Sequence, residues 1–310
     1  MSNPQEEVYH FNHDVNPTTA ALTINAISKG PFPALEHTFS RSTTAPSPTK
    51  AAAESQQGKT VGFLALVGPP AASKILKWAQ SGHGHGRHGD FLAKDKRTLQ
   101  NRLWARRALK MADVLGFSRT ASFDKGLRRD LSEEEAKKLK GIYKYSHVEV
   151  KLAVHAIYVL LRDFMPGFRG PVTMDQLLAL RDARWSDGTK PEFKIVVSRL
   201  KCGNCKNMLA KISEVTGVKL HLVIGKRKQD YQYKQRAVEN KKKKTGHDGD
   251  ETATNQASSS DVQTPPALQT PPRNRAKRQP VTPLDSDKET VYPDKYLPAT
   301  PVSKPPTPMR

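Results

Sequence analysis

Cysteine is nearly absent from this chain: among 310 residues there are two, Cys202 and Cys205. Three positions apart, they cannot tie distant segments together, which excludes a disulfide framework and fits a reducing compartment. Long apolar runs are missing as well. The run 61–67 falls far short of the roughly 20 residues a membrane-spanning helix needs, so no membrane partner is expected. Residues 1–20 contain Glu6, Glu7 and Asp14 and no apolar stretch, which speaks against a secretory signal or an Arg-rich transit peptide. Negative charge is scarce: 30 Asp and Glu stand against 51 Lys and Arg, for a formal net charge of +21 and a pI of about 9.9. That excess points to a polyanion, and nucleic acid, RNA or DNA, is the usual one. Basic tails on a soluble protein would give the same balance.

With 36% apolar residues and 23 prolines, part of the chain is expected to bury nothing. Residues 1–58, rich in Ser, Thr, Ala and Pro, read as a disordered segment, and 227–310 as a basic, Pro/Thr-rich disordered tail. Between them, 59–108 reads as a helical, basic extension and 109–226 as an α/β domain. The spacing predicts a short helix over 69–80, a longer one over 92–115, a capped acidic-then-basic helix from Ser132, and a capped helix over 173–184. In the helix predicted over 147–164, apolar residues cover most of the circumference, as in a central buried helix. Residues 143–145 suggest a strand. Strand 193–198, helix 202–216 and strand 218–224 form a crossover unit, whose right-handed connection makes the strands parallel.

Cys202-Gly203-Asn204-Cys205 opens a predicted helix directly after a predicted strand. Both sulfurs then lie about one turn apart, where backbone N–H groups and the helix dipole stabilise thiolates, and one metal ion can take both. A lone C-x-x-C is ambiguous, because thioredoxin-like redox enzymes place CGxCK at the same junction. Such a domain needs another strand pair and helix after Ile224, whereas the sequence there turns lysine-rich. Upstream, His147-Val148-Glu149 starts the most apolar helix. Zinc deaminases require an H-x-E followed by a C-x-x-C. In that chemistry His147, Cys202 and Cys205 bind the zinc ion and leave one position for water, whose pKa falls toward neutrality. Glu149 stays off the metal and shuttles the proton. Taken alone, H-x-E is also what ordinary polar residues at a helix start would give.

The stretches Asp130-Leu131-Ser132-Glu133-Glu134-Glu135, SHVEVKLAVHA and LKCGNCKNMLAKIS together resemble the DYW-type deaminase domain that ends many plant organellar pentatricopeptide-repeat RNA-editing factors. That family's pattern is an acidic stretch, an H-S-E-K-L-A helix start, and an L-x-x-C-G-D-C-H helix running on into I-S. The resemblance covers roughly residues 109–225. It implies a cytidine-deaminase-like three-layer α/β domain whose helices from His147 and Cys202 pack on one face of a sheet. It also implies zinc on His147, Cys202 and Cys205, Glu149 as proton shuttle, and cytidine-to-uridine conversion, in RNA more than in DNA. No repeated helical pairs precede the domain, so a protein partner would supply sequence specificity. The family's C-terminal histidine pair, cysteine pair and final Asp-Tyr-Trp have no counterpart after Gly225, and the helix predicted over 173–184 lengthens the interval from His147 to Cys202.

Other motifs carry less. His83, His85 and His88 in GHGHGRHG invite a second metal site, but glycine-rich loops hold ligands poorly. Asn101-Arg102 with Ala105-Arg106-Arg107-Ala108 is similar to a basic-leucine-zipper contact region, yet Gly116 stops the helix before any leucine heptads. Five Thr-Pro pairs, from Thr264 to Thr307, suit proline-directed kinases or a plain spacer. Lys241–Lys244 and Arg273, Arg275, Lys277 and Arg278 suggest residence in the nucleus, the cytoplasm being the alternative. Two function classes stay open, an enzyme that deaminates a base in nucleic acid and a catalytically silent zinc-containing nucleic-acid-binding protein. A free-nucleoside deaminase fits the charge less well.

Overall fold

The computed structural model describes residues 8–29, 34–45, 47–67, 74–85, 90–119, 132–199 and 202–228, all within one compact unit. The architecture is mixed α/β with two four-stranded sheets. The central sheet has the order β5-β4-β6-β7, made of Val61–Leu66 (β4), Lys74–Gln80 (β5), Glu192–Val197 (β6) and Lys219–Ile224 (β7). Strand β4 pairs antiparallel with both β5 and β6, and β6 and β7 run parallel. That parallel pair is the predicted crossover unit, joined by α7 (Gly203–Thr216).

The inner strands β4 and β6 are largely buried on both faces, which explains their apolar runs, whereas the edge strand β7 is partly exposed along its whole length. Leu64, Ala79, Ile195 and Val197 face a helical layer of α2 (Asn101–Val114), α5 (Val148–Phe164) and α7. Phe63, Ala65, Trp78 and Val196 face the second sheet. That sheet, in the order β3-β2-β1-β8, is built from His10–Val15 (β1), Leu22–Ile27 (β2), Ala34–Phe39 (β3) and Lys226–Arg227 (β8). The three layers are therefore helices, sheet, sheet.

Several expectations are corrected. Of residues 1–58, expected to be disordered, the described ones form β1 to β3 and a helix, Lys50–Gln57 (α1), capped by Thr49. The burial pattern supplies the reason: Phe11, His13, Leu22, Ile24, Ala26, His37 and Phe39 alternate along their strands and cover the second face of the central sheet. Lys74–Gln80 is a strand, not the end of a helix; residues 69–73 of that prediction lie outside the described residues. The helix predicted over 92–115 begins only at Asn101. Residues 143–145 belong to a short helix, Ile142–Tyr145 (α4), rather than a strand. The tail from 229 onward, with both basic clusters and the Thr-Pro pairs, is outside the described residues, as are Asp130 and Leu131.

Other predictions hold. Ser132 caps Glu133–Lys138 (α3), its Oγ accepting from the Glu135 N–H at 3.3 Å. Thr173 and Gln176 form a reciprocal capping box at the start of Met174–Ala179 (α6), though this helix, expected to reach Arg184, gives way to a 3-10 turn over Leu180–Asp182. The central helix α5 buries residues all round, among them Leu152, Ile157, Leu160 and Leu161 at 0% exposure, each worth about 1.5–3 kcal/mol relative to exposure. Gly62 lets β4 approach the start of α5, since a Cβ there would come within 2.4 Å of the Val196 carbonyl and 3.0 Å of a Val148 methyl.

Candidate metal centre

Two helix starts converge on one point. His147 precedes α5 with extended backbone (φ −69°, ψ 149°), and Cys202 holds the same place before α7 (φ −125°, ψ 113°). Neither side chain caps its own helix. Cys205 is the third residue of α7. His147 Nδ1 lies 3.2 Å from Cys205 Sγ, and the ligand atoms of His147, Cys202 and Cys205 all lie within 4.8 Å of one another. A tetrahedral ion with bonds of about 2.0–2.3 Å holds such atoms about 3.6–3.8 Å apart. The three side chains could thus hold a metal ion with small shifts.

The electrostatics fit the same arrangement. Burial pushes the Cys205 thiol far up, and the charges of Glu149 and Cys202 add to the push. A cation reverses that balance because it takes the thiolate, not the thiol. Burial holds the His147 imidazole below its ordinary value, helped by Lys151, which favours the neutral ring a metal needs.

Glu149 is buried, at 3% exposure, and belongs to no ligand group of the described residues. It lines a cavity of about 370 Å³ that His147 and Cys202 also line. Burial raises its carboxyl pKa, while its own backbone N–H and the Lys151 ammonium pull it down. The structure thus brings together all four residues singled out in the sequence, with three as a ligand group and the fourth beside them.

Sequence reasoning overlooked Lys151, which is fully buried in the second turn of α5. Its Nζ donates to Gln80 O at 2.5 Å, Gly82 O at 3.1 Å and Asn101 Oδ1 at 2.5 Å. All three ammonium donors are used. This ties the end of β5 and the start of α2 to the helix that carries Glu149. A lysine on a helix with apolar residues almost all round was the available signal. Lys59 and Arg199, both on the cavity wall, carried none.

The decoys resolve plainly. His83 lines the cavity and its Nδ1 accepts from the His85 N–H at 3.0 Å. Among the described residues neither histidine joins a cluster of three metal-binding side chains, and His88 lies outside them. Helix α2 packs on the core through Trp104, Ala105, Ala108, Met111 and Ala112, with the Arg107 guanidinium 4.6 Å from the Trp104 and Tyr158 ring centres. No known protein family, curated protein or solved structure matches this chain. Its function must be argued from the site.

Proposed function

We propose that this protein is a zinc-dependent hydrolytic deaminase acting on a base in nucleic acid, converting cytidine to uridine, with RNA favoured over DNA. The observation that carries the reading is the position of Glu149: buried, facing the cavity beside His147, Cys202 and Cys205, and outside the ligand group. A purely structural metal site has no use for such a carboxylate. The donor set of one imidazole and two thiolates suits zinc and leaves a fourth coordination position open. Zinc held there supplies Lewis acidity that draws the pKa of water toward neutrality.

The residues of this chain would do the rest. Glu149 would take one proton from the attacking water and deliver it to the ring nitrogen, then take the second from the newly formed C4 hydroxyl and deliver it to the departing amine, so that water and cytosine become uracil and ammonia. Its raised carboxyl pKa suits a group that must both accept and release a proton. His147 stays neutral and holds the metal. The fold adds support: the helices that begin after His147 and at Gly203 share the apolar core on one face of the central sheet, and β4 with β5 supplies the hairpin ahead of them. Both features accord with a cytidine-deaminase-like domain, the hairpin coming from residues ahead of the stretch that resembles the DYW type.

The test is sequencing of RNA and DNA from cells that express the protein or its Glu149→Ala variant, with metal content measured on both purified proteins. Deamination by the wild type should fall about 10²–10⁴-fold in the variant while bound zinc stays the same. Equal conversion by both, or none by either, would leave only a metal-binding module.

A further inference from the structure

The cavity beside the metal centre carries more positive charge than proton transfer at Glu149 needs. Lys59 and Arg199 both line it. Lys59 is half-buried, and its backbone is fixed by an N–H bond to Gln56 O at 3.1 Å at the start of β4. Its ammonium lies 3.5 Å from where a Cβ on Gly82 would sit; Gly82, at φ +135°, brings the loop backbone close in a conformation other residues rarely adopt. Among the described residues this ammonium makes no hydrogen bond and no ion pair. Asp90 is the carboxylate whose charge it feels, but the Asp90 oxygens already accept from the Leu92 and Arg102 N–H groups at 3.3 and 2.9 Å. Burial lowers the Lys59 pKa more than Asp90 raises it. Arg199 Nη2 donates to Gly58 O at 3.5 Å, on the residue next to Lys59, so both cations stand on one wall.

We propose that Lys59 and Arg199 form an anion subsite that holds the phosphate of the nucleotide whose base enters beside Glu149. A planar guanidinium and a compact ammonium are the usual partners of phosphate oxygens. Thr60 and Ser81, on the same wall, add hydroxyl groups. A nucleotide is the ligand class that offers a base to Glu149 and a phosphate to Lys59 in one molecule. The identity of the base rests on the deaminase reading; the anion subsite rests on the cations. The phosphate is either the terminal monoester of a mononucleotide or a diester of a strand.

The test uses the full chain. In a Glu149→Ala background, binding of CMP and of a short single-stranded oligonucleotide is titrated over a range of salt, with Lys59→Gln, Arg199→Gln and Lys59→Arg added singly. Each glutamine variant should weaken binding about tenfold, and lower the salt slope for the oligonucleotide by about 0.7. Lys59→Arg, which keeps the charge, should retain most of the affinity and guards against misfolding as the cause. Loss with CMP assigns a terminal phosphate, and loss with the oligonucleotide alone assigns a strand phosphate. With Glu149 restored, the ratio of kcat/KM for the phosphorylated substrate to that for cytidine should fall by the same factor. Unchanged affinity and slope in both glutamine variants overturn the subsite even if the wild type deaminates. Tenfold losses in a protein that deaminates nothing keep the subsite and overturn the enzymatic reading.

Discussion

Lys151 Nζ and Asn101 Oδ1 lie 2.5 Å apart in the protein interior, joining the second turn of α5 to the first residue of α2. With its bonds to Gln80 O and Gly82 O, one ammonium fixes three elements around the cavity. Lys151→Met leaves those acceptors without a donor and should cost about 1–3 kcal/mol in denaturant unfolding. Burial holds the folded pKa at about 7, below the 10.5 of an unperturbed lysine. Between those values the unfolded chain binds more protons, so the wild type should gain stability as pH rises through that window. The variant should lack this gain, and parallel pH profiles for the two proteins would contradict the assignment.

The second sheet carries an acid-sensitive group. His37 is 1% exposed, its Nε2 lies 2.9 Å from Thr98 Oγ1, and its ring stacks on Trp78 with centres 4.9 Å apart. Burial holds its pKa at about 4, with Arg97 adding to the effect and Asp95 opposing it. Unfolded, the same imidazole titrates near 6.5, so stability present above that pH is lost as pH falls through about 4. His37→Phe should flatten the fall in melting temperature between about pH 6.5 and 4. The flattening should be partial, because His13, held at about 3 mainly by burial, titrates in the same direction.

How far the sequence could be read depended on whether local spacing matched the element formed. The helix starts at His147 and Cys202 were legible because apolar residues surround one helix and a glycine, Gly217, stops the other. Strand β5 was misread for a definite reason. Its register against β4 shifts between Leu64 and Ala65, Leu64 facing Lys77 and Ala65 facing Ile75, so Leu76 is an extra residue. The bulge puts Ile75 and Trp78 on the side of the second sheet, and Leu76 and Ala79 on the helical side. Pairs three apart on one face imitate helical spacing. In β1 and β3 the buried alternation includes His13 and His37, which read as polar until burial makes them neutral members of the core. Lys59 and Arg199 reach one cavity wall only because β4 pairs with β6, about 140 positions apart along the chain, and no sequence pattern spans that distance.

The basic clusters beyond residue 228 give a prediction in cells. A fluorescent fusion of the full chain should accumulate in the nucleus, and replacing Lys241–Lys244 together with Arg273, Arg275, Lys277 and Arg278 by alanine should release it to the cytoplasm. A fusion that stays outside the nucleus with both clusters intact would refute the assignment.

Metal removal gives the sharpest test of the ligand group, because His147 and Cys202 stand before two different helices that share one core. The purified protein should contain one zinc per chain by elemental analysis. His147→Ala, Cys202→Ala and Cys205→Ala should each lose it, whereas Glu149→Ala should keep it, since Glu149 lies outside the ligand group. Metal that binds only the folded chain stabilises it by mass action, about 4 kcal/mol at a thousandfold excess over Kd. For a domain of this size that corresponds to a melting shift of roughly 10 °C on chelation. The imidazole and both thiols must give up their protons to bind, so affinity should fall as pH falls, and acid should release the metal. Retention of zinc by Cys205→Ala would show that the metal sits elsewhere, because that sulfur is the one 3.2 Å from His147 Nδ1.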